Sequence, residues 1–237
     1  MIATRRNPSV PGNRLDPRLV TFFGVMAAMF LSALDQTIVG TAMPTIARDL
    51  GGVNRYTWVT TVYLLTSTAV VPVVGKLSEQ LGRKRVFLTA IVAFLAGSAL
   101  CGAAPSMAWL IGFRGIQGVG AGMLTGTAFA VIADLFSPAE RGKYTGMVAG
   151  VFGIASVVGP LVGGGLTDHV GWRWVFYVNI PIGIVVLAVL ARTFPSLRRS
   201  GNRPRIDWLG AALIAAGAAL LVLGASLQGT DGWGYPP

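Results

Sequence analysis

The sequence is poor in the groups that soluble catalytic domains rely on. Only 12% of its 237 residues are charged, about half of the roughly 25% found in a soluble domain. It has one cysteine, Cys101, and one histidine, His169. A single cysteine excludes an internal disulfide and gives no sign of an oxidising compartment. A single histidine with no cysteine cluster excludes the common His/Cys metal sites. No nucleophile–base pair is visible either, so an enzyme is not expected, and neither is a metal or cofactor. Acids are scarce too, nine against nineteen Lys and Arg. That excess, with a pI near 10.8, would suit nucleic acid, but the placement of the basic residues argues against it, as shown below.

What the chain has in abundance is apolar length. Hydrophobic residues make up 53% of it, with a mean hydropathy of +0.65. Seven apolar segments stand out: 19–43, 57–74, 86–103, 107–133, 144–166, 174–193 and 208–227. About 20 helical residues cross the roughly 30 Å core of a bilayer, and these segments are close to that length. The expected fold class is all-α, a polytopic transmembrane helical bundle. The connectors are short, which leads to the expectation that sequence neighbours pack as antiparallel neighbours in space. Met1–Pro17 is polar and the run after it lacks a small-residue cleavage site, so a tail before a retained helix is expected.

The Lys and Arg residues fix an expected orientation. With the N-terminus cytoplasmic, all but four of the 19 fall on the inner side: the tail arginines 5, 6, 14 and 18, then Lys76 and Arg83–Arg85, then Arg141 and Lys143, then Arg192 and the arginines at 198, 199, 203 and 205. Arg48, Arg55 and Arg173 fall outside and Arg114 within a helix. This obeys the positive-inside rule and explains the pI by loops facing anionic lipid, without nucleic acid. Trp58, Trp109, Trp172, Trp174, Trp208 and Trp233 lie at or just beyond segment ends, where aromatic belts form.

One residue in the first segment does not fit it. Asp35 is a carboxylate among apolar neighbours, and an acid at the centre of a membrane helix costs about 2.5–3.5 kcal/mol on insertion scales. It needs a partner. Arg114 lies about seven residues, roughly 10 Å, into the fourth segment, and Asp35 about eight residues, roughly 12 Å, from the end of the first. The depths match, so the two could pair directly, through water or through Gln117. Two readings stand at this point: a structural pair that fixes helix register, or a pair that lines a solute or proton path.

Glycines supply two further patterns. Gly118, Gly122 and Gly126 recur every four residues, as do Gly142, Gly146 and Gly150, and each set would form a smooth face for close backbone approach. Gly159-Pro160-Leu-Val-Gly163-Gly164 differs, because proline removes a helix hydrogen bond and the glycines leave the region unstiffened. A bend there would shape the outer vestibule. The run Gly118–Gly122 is no dinucleotide fingerprint, since Met123 and Thr125 stand where glycine would be required. Between the second and third segments, Gly75 to Arg85 forms a charged loop with two glycines, Gly75 and Gly82. It reads either as a topogenic loop or as an ion-pair latch of Glu79 with Arg83 and Lys84. The stretch from Asp134 through Pro138 and Glu140 to Gly142 reads as the next inner turn and would offer a further partner to the Arg83–Arg85 cluster. Asp168 and His169 read as an external loop, and Asp207 as the cap of the last helix.

Taken in order, these stretches resemble the major facilitator superfamily, specifically its 14-helix drug:proton antiporter branch. Leu34-Asp35-x-Thr37-Ile38-Val39 through Ala42-Met43-Pro44 is similar to the family's first-helix motif, with Gly40 and Met43 departing from it. Gly75 to Arg85 resembles its loop motif, with Glu79 in the usual Asp position. Arg114-x-x-Gln117-Gly118-x-Gly120 resembles the fourth-helix motif associated with proton transfer. Gly146 through Gly159-Pro160-x-x-Gly163-Gly164 resembles the fifth-helix antiporter motif, with Ala155 in place of one glycine. Trp172-Arg173-Trp174-x-Phe176-x-x-Asn179-x-Pro181-x-Gly183 resembles the start of the sixth helix.

The resemblance covers essentially the whole chain but half of the family's length. It implies a cytoplasmic tail at 1–18, an N-terminal six-helix bundle at 19–194, a basic linker at 195–206, a seventh helix at 207–228 and an external end at 229–237. A C-terminal bundle would be missing, so an incomplete proton-coupled exporter of a cell membrane is expected. Its partners would be the lipid bilayer, protons, a small lipophilic or cationic substrate and the absent bundle. Asp35 would bind the proton, Arg114 and Gln117 would tune it, and Gly159-Pro160 would limit leak. The alternatives are a non-transporting membrane scaffold or partner subunit, and a proton-independent facilitator.

Overall fold

The computed structural model describes residues 17–195 and 208–227. The expectations for the tail arginines at 5, 6 and 14, the basic linker, the cap at position 207 and the external end with its tryptophan at 233 lie outside the described residues. Among the described residues every regular element is helical: α1 (Pro17–Asp49), α2 (Tyr56–Leu81), α3 (Arg83–Gly102), α4 (Met107–Leu135), α5 (Pro138–His169), α6 (Trp174–Tyr177), α7 (Asn179–Thr193) and α8 (Trp208–Leu227), with a 3-10 turn at Val53–Arg55. Six stretches among the described residues are long and apolar enough to cross a membrane: α1 to α5, and α6 with α7 taken together. The all-α membrane bundle stands.

Local sequence explains the boundaries. A single residue, Gly82, joins α2 to α3 with φ +94°, a left-handed conformation that residues with a Cβ avoid. At the start of α5, Pro138 sits in the first turn, where its missing N–H costs nothing. Glu140 closes a capping box there, its carboxylate accepting from the Ser137 backbone N–H at 3.0 Å and the Ser137 hydroxyl at 2.6 Å. Arg141 then reaches back across the turn to the Ala133 carbonyl at 2.7 Å, satisfying one of the free carbonyls at the end of α4.

Several helices outrun their apolar segments. α1 continues through Pro44 to Asp49, and α5 takes in Asp168 and His169 as its last turn. Those two residues are therefore helical, not an external loop. His169 Nδ1 lies 2.9 Å from the Gly165 carbonyl one turn earlier. The sixth segment is interrupted at Val178, which divides α6 from α7.

The expectation that chain neighbours pack together fails for α1 and α2. α2 packs mainly on α4 and α8, α1 on α5 and α7, and α3 on α4. Small residues decide this. A Cβ added at Gly122 would stand 2.8 Å from the Ser67 Cα, and one at Gly126 would stand 3.0 Å from the Val71 carbonyl oxygen. The backbones of α2 and α4 thus meet along the Gly118–Gly126 stripe. Gly97 and Gly120 bring α3 and α4 together in the same way, a Cβ at Gly120 standing 2.7 Å from the Phe94 Cα. The second predicted stripe behaves differently: nothing lies within 4 Å of an added Cβ at Gly142, Gly146 or Gly150 among the described residues. That face of α5 is open.

Two apolar clusters fill the bundle. One gathers Phe22, Leu31, Phe87, Phe94 and Phe136, the other Leu34, Ile38, Ile46, Leu110 and Phe176. Leu31 belongs to the first and Leu34 to the second, which puts Asp35 beside their junction. The charges segregate as well. Arg18, Lys76, Arg83, Lys84, Arg85, Arg141, Lys143 and Arg192 mark one end of the helices, the basic end, and Arg48, Arg55 and Arg173 mark the other.

Candidate functional site: a buried carboxylate joining three helices

Asp35 is wholly buried, and so are Gln117 and Asn179, while Arg114 is 1% exposed. A carboxylate in such a place must be paired or protonated. Here it is paired. Arg114 Nη1 donates to Asp35 Oδ2 at 2.6 Å. Gln117 Nε2 and Asn179 Nδ2 both donate to Oδ1, at 2.9 and 2.8 Å. Arg114 Nη1 also donates to Gln117 Oε1 at 2.8 Å, closing a ring of three side chains on α1 and α4. The guanidinium lies over the Tyr63 ring on α2, 4.0 Å from its centroid, a cation–π contact in a water-poor setting. The Tyr63 hydroxyl meets Ser32 of α1 at 3.1 Å.

The shell extends to α3. Ser98 Oγ accepts from Asn179 Nδ2 at 3.0 Å and donates to the Phe176 carbonyl at 2.8 Å. That carbonyl lies at the interruption between α6 and α7. Cys101, also on α3, donates to Gln117 Oε1 at 3.5 Å. Arg114 Nε and Asn179 Oδ1 are buried and have no partner among the described residues. One acid on α1 thus holds polar groups from α4 and α7 directly, with α2 and α3 one contact further out.

The sequence pairs Asp35 with Arg114 and Gln117, and the structure brings these three together. The depth argument reached the right partner from a helix end six residues too early, since α1 runs on to Asp49. Asn179, Ser98 and Tyr63 were not identified as parts of the site. Asn179 carried a signal: it is a lone amide heading an apolar helix, at the depth where Asp35 needs acceptor satisfaction. Ser98 and Tyr63 had none, since isolated hydroxyls are common in membrane helices.

The expected loop at Gly75 to Arg85 is helical apart from Gly82, and at this basic end Arg83, 6% exposed, gathers residues of the last turns of α2 around it. Its Nε donates to Asp134 Oδ2 at 3.0 Å, and Nη1 donates to the Gly75 carbonyl at 3.2 Å and to Ser78 Oγ. Glu79 lies 3.6 Å from Arg83 within the α2–α3 turn. The interhelical tie is therefore Arg83 with Asp134 on α4, and Glu79 is an accessory. Lys84 makes no ion pair among the described residues. At the other end, Asp49 accepts from Trp172 Nε1 at 2.7 Å and from Arg173 Nη1 at 3.5 Å, fastening α1 to the start of α6. The sequence reading did not single out Asp49.

The Gly-Pro motif divides between two faces. Gly159 and Gly163 press on α1, where an added Cβ at Gly163 would stand 3.0 Å from the Ile38 carbonyl oxygen, and one at Gly159 would strike the Thr37 side chain. Thr37 Oγ1 donates to the Ala155 carbonyl at 3.0 Å, one turn before Pro160. Gly164, like Gly146, meets nothing within 4 Å among the described residues, and Pro160 is exposed within an unbroken α5.

An all-α polytopic membrane bundle with a charged site buried at its centre defines the class of protein. The sequence profile of the Major Facilitator Superfamily matches residues 25–234, and the chain belongs to that superfamily. It is 45% identical over 214 residues to the "Multidrug transporter protein MdtP" of Bacillus subtilis (strain 168), covering 90% of this chain and 39% of that protein. It is also 45% identical over 206 residues to "Multidrug resistance protein 3" of the same organism, covering 87% of this chain and 40% of the relative. The chain thus spans about two fifths of the length of these curated relatives. Among solved structures, the human organic anion transporter MFSD10 (TETRAN) superposes with a TM-score of 0.70 at 20% identity, over 94% of this chain and 58% of that one. At that identity the likeness concerns the fold alone.

Proposed function

We propose that the chain is part of a proton-coupled efflux transporter of the cell membrane, with Asp35 as the proton-binding carboxylate. The observation that carries this reading is the wholly buried Asp35, whose charge is met by Arg114, Gln117 and Asn179. Protonating Asp35 removes the anion that Arg114 and the two amides satisfy. The shell must then rearrange, and this supplies a physical link between proton binding and helix position. The export reading rests on relatives named a multidrug transporter and a multidrug resistance protein and on the fifth-helix motif at Gly146, Gly159, Pro160, Gly163 and Gly164. The substrate class proposed is small, lipophilic and often cationic. A second bundle, contributed by the remaining length seen in the relatives, would complete the central site, and rocking of the two would provide alternating access.

In this reading the basic end faces the cytoplasm, as the positive-inside rule requires. The tie of Arg83 to Asp134, with Glu79, Gly75, Gly82 and Lys84 around it, would hold that side shut in one conformational state. The close approach of Gly159 and Gly163 to α1 would couple α5 to the helix bearing Asp35.

The test is pH-gradient-driven efflux of a cationic dye by the full-length protein carrying Asp35→Asn. Loss of gradient-driven efflux, with expression preserved, is the expected outcome. Unchanged efflux would remove Asp35 from the mechanism. Dye flux that persists without a gradient would favour a proton-independent facilitator.

A further inference from the structure

The two amides that touch Asp35 are not equivalent. Gln117 is locked in orientation, because its Oε1 already accepts from Arg114 Nη1 at 2.8 Å while its Nε2 donates to Asp35. Reversing it would point its oxygen at a carboxylate and its NH₂ at a guanidinium. Asn179 has no such lock. Its Nδ2 serves both Asp35 Oδ1 and Ser98 Oγ, and its Oδ1 is buried with no partner among the described residues. A buried acceptor left unsatisfied is costly, and such groups in native structures call for an explanation.

The two oxygens of Asp35 differ as well. Oδ2 faces Arg114, which only donates, so a proton there would oppose a permanent cation. Oδ1 faces the amides. Proton uptake from water would form the O–H bond at Oδ1, and that hydrogen then needs an acceptor. Reversal of the Asn179 amide supplies one, its otherwise unused Oδ1.

We propose that Asn179 is the positioning residue that reads the protonation state of Asp35. This rests on the reading of Asp35 as the proton carrier. With the carboxylate charged, Asn179 donates to it. With the acid neutral, Asn179 turns over and accepts from it. The reversal has a second consequence at Ser98. Its hydroxyl has one hydrogen, now given to the Phe176 carbonyl. With Asn179 Oδ1 turned toward it, the same hydrogen is claimed by two acceptors, so the bond that secures the α6–α7 interruption weakens when Asp35 is neutral.

The charged and titratable groups that face Asp35 are Arg114 from α4, Tyr63 from α2 and Cys101 from α3. The fifth, sixth and seventh helices carry theirs only near their ends or at the interruption.

The experiment is an infrared pH titration of the lipid-reconstituted protein, with Asp35 assigned by the band that Asp35→Asn removes. In Asn179→Leu the charged form loses a donor and the neutral form an acceptor. Hydrogen bonds to ions are the stronger, so the midpoint should move up by about one pH unit. The carboxyl C=O stretch should also rise in frequency, as expected for an O–H without an acceptor. Ser98→Ala should move the midpoint the same way by less, and it serves as the test if Asn179→Leu does not fold. An Asp35 band with wild-type midpoint and frequency in these variants overturns the role of Asn179 and leaves the proton reading intact. Absence of any Asp35 carboxyl band in the wild type overturns the proton reading, and the role of Asn179 with it.

Discussion

Arg114 Nη1 stands 2.6 Å from Asp35 Oδ2, the two residues lying on α4 and α1 with side chains 1% and 0% exposed. Their attraction offsets desolvation that neither would survive alone. Removing one partner of a buried pair typically costs about 3–5 kcal/mol, because the other is left uncompensated, whereas replacing both is often nearly neutral. Asp35→Leu and Arg114→Leu should each lower stability by that amount, measured by denaturant unfolding in detergent. The double variant should lose less than either single one, with a residue of cost from the stranded amides of Gln117 and Asn179. Additive losses would show that the pair is not coupled.

The two glycine stripes predict opposite outcomes for one substitution. At Gly122 an added Cβ would lie 2.8 Å from the Ser67 Cα, whereas at Gly146 nothing lies within 4 Å. Overpacking usually costs about 1–3 kcal/mol, and more when the obstacle is backbone that cannot swing away. Gly122→Val should sharply reduce folded yield and melting temperature. Gly146→Ala should leave both within error, since an exposed helical alanine stabilises a helix slightly relative to glycine. A destabilised Gly146→Ala would show that the open face of α5 is covered in the folded protein.

Arg83 acts through a fork of donors more than through its charge. Nε reaches Asp134 at 3.0 Å while Nη1 serves the Gly75 carbonyl at 3.2 Å and Ser78. Lysine has one nitrogen and cannot span α4 and the end of α2 together. Arg83→Lys should therefore cost about 1.5–3 kcal/mol, the range for a hydrogen bond to a charged group. It should also quicken proteolysis at the Gly82 turn. Wild-type resistance in Arg83→Lys would reduce this contact to plain charge attraction.

The sequence revealed most where a residue was chemically out of place. Asp35 and Arg114 are conspicuous in apolar helices, and each has few groups it could pair with, so their union was legible. For Arg83 less was legible: charges crowded onto short turns pointed to Glu79 and to the whole turn at 134–142, and only the structure singles out Asp134. Helix pairing was not legible, because the preference of α2 for α4 depends on backbone fit along Gly118–Gly126, and an equal spacing at Gly142–Gly150 meets nothing. Ser98 was overlooked because hydroxyls are unremarkable in membrane helices, and Asn179 because its signal, a lone amide heading an apolar helix, gains meaning only with the position of the acid's second oxygen. Helix ends ran long since polar residues such as Asp49 and Asp168 continue a helix as readily as they cap one.

The separation of charge predicts an orientation, which direct labelling tests. Arg18, Lys76, Arg83–Arg85, Arg141, Lys143 and Arg192 share one end, and cytoplasmic ends carry the Lys and Arg excess. Cys101 is 0% exposed, so the native chain provides its own silent background for thiol reagents. Asn54 is exposed beside α2 at the poorly basic end, and Leu81 is 52% exposed at the basic end. A membrane-impermeant maleimide should label Asn54→Cys in intact cells. It should label Leu81→Cys only after the membrane is permeabilised. The reverse pattern would place the basic end outside, and with it the tie between Arg83 and Asp134. A gate proposed for the cytoplasmic side would then stand on the wrong face of the membrane.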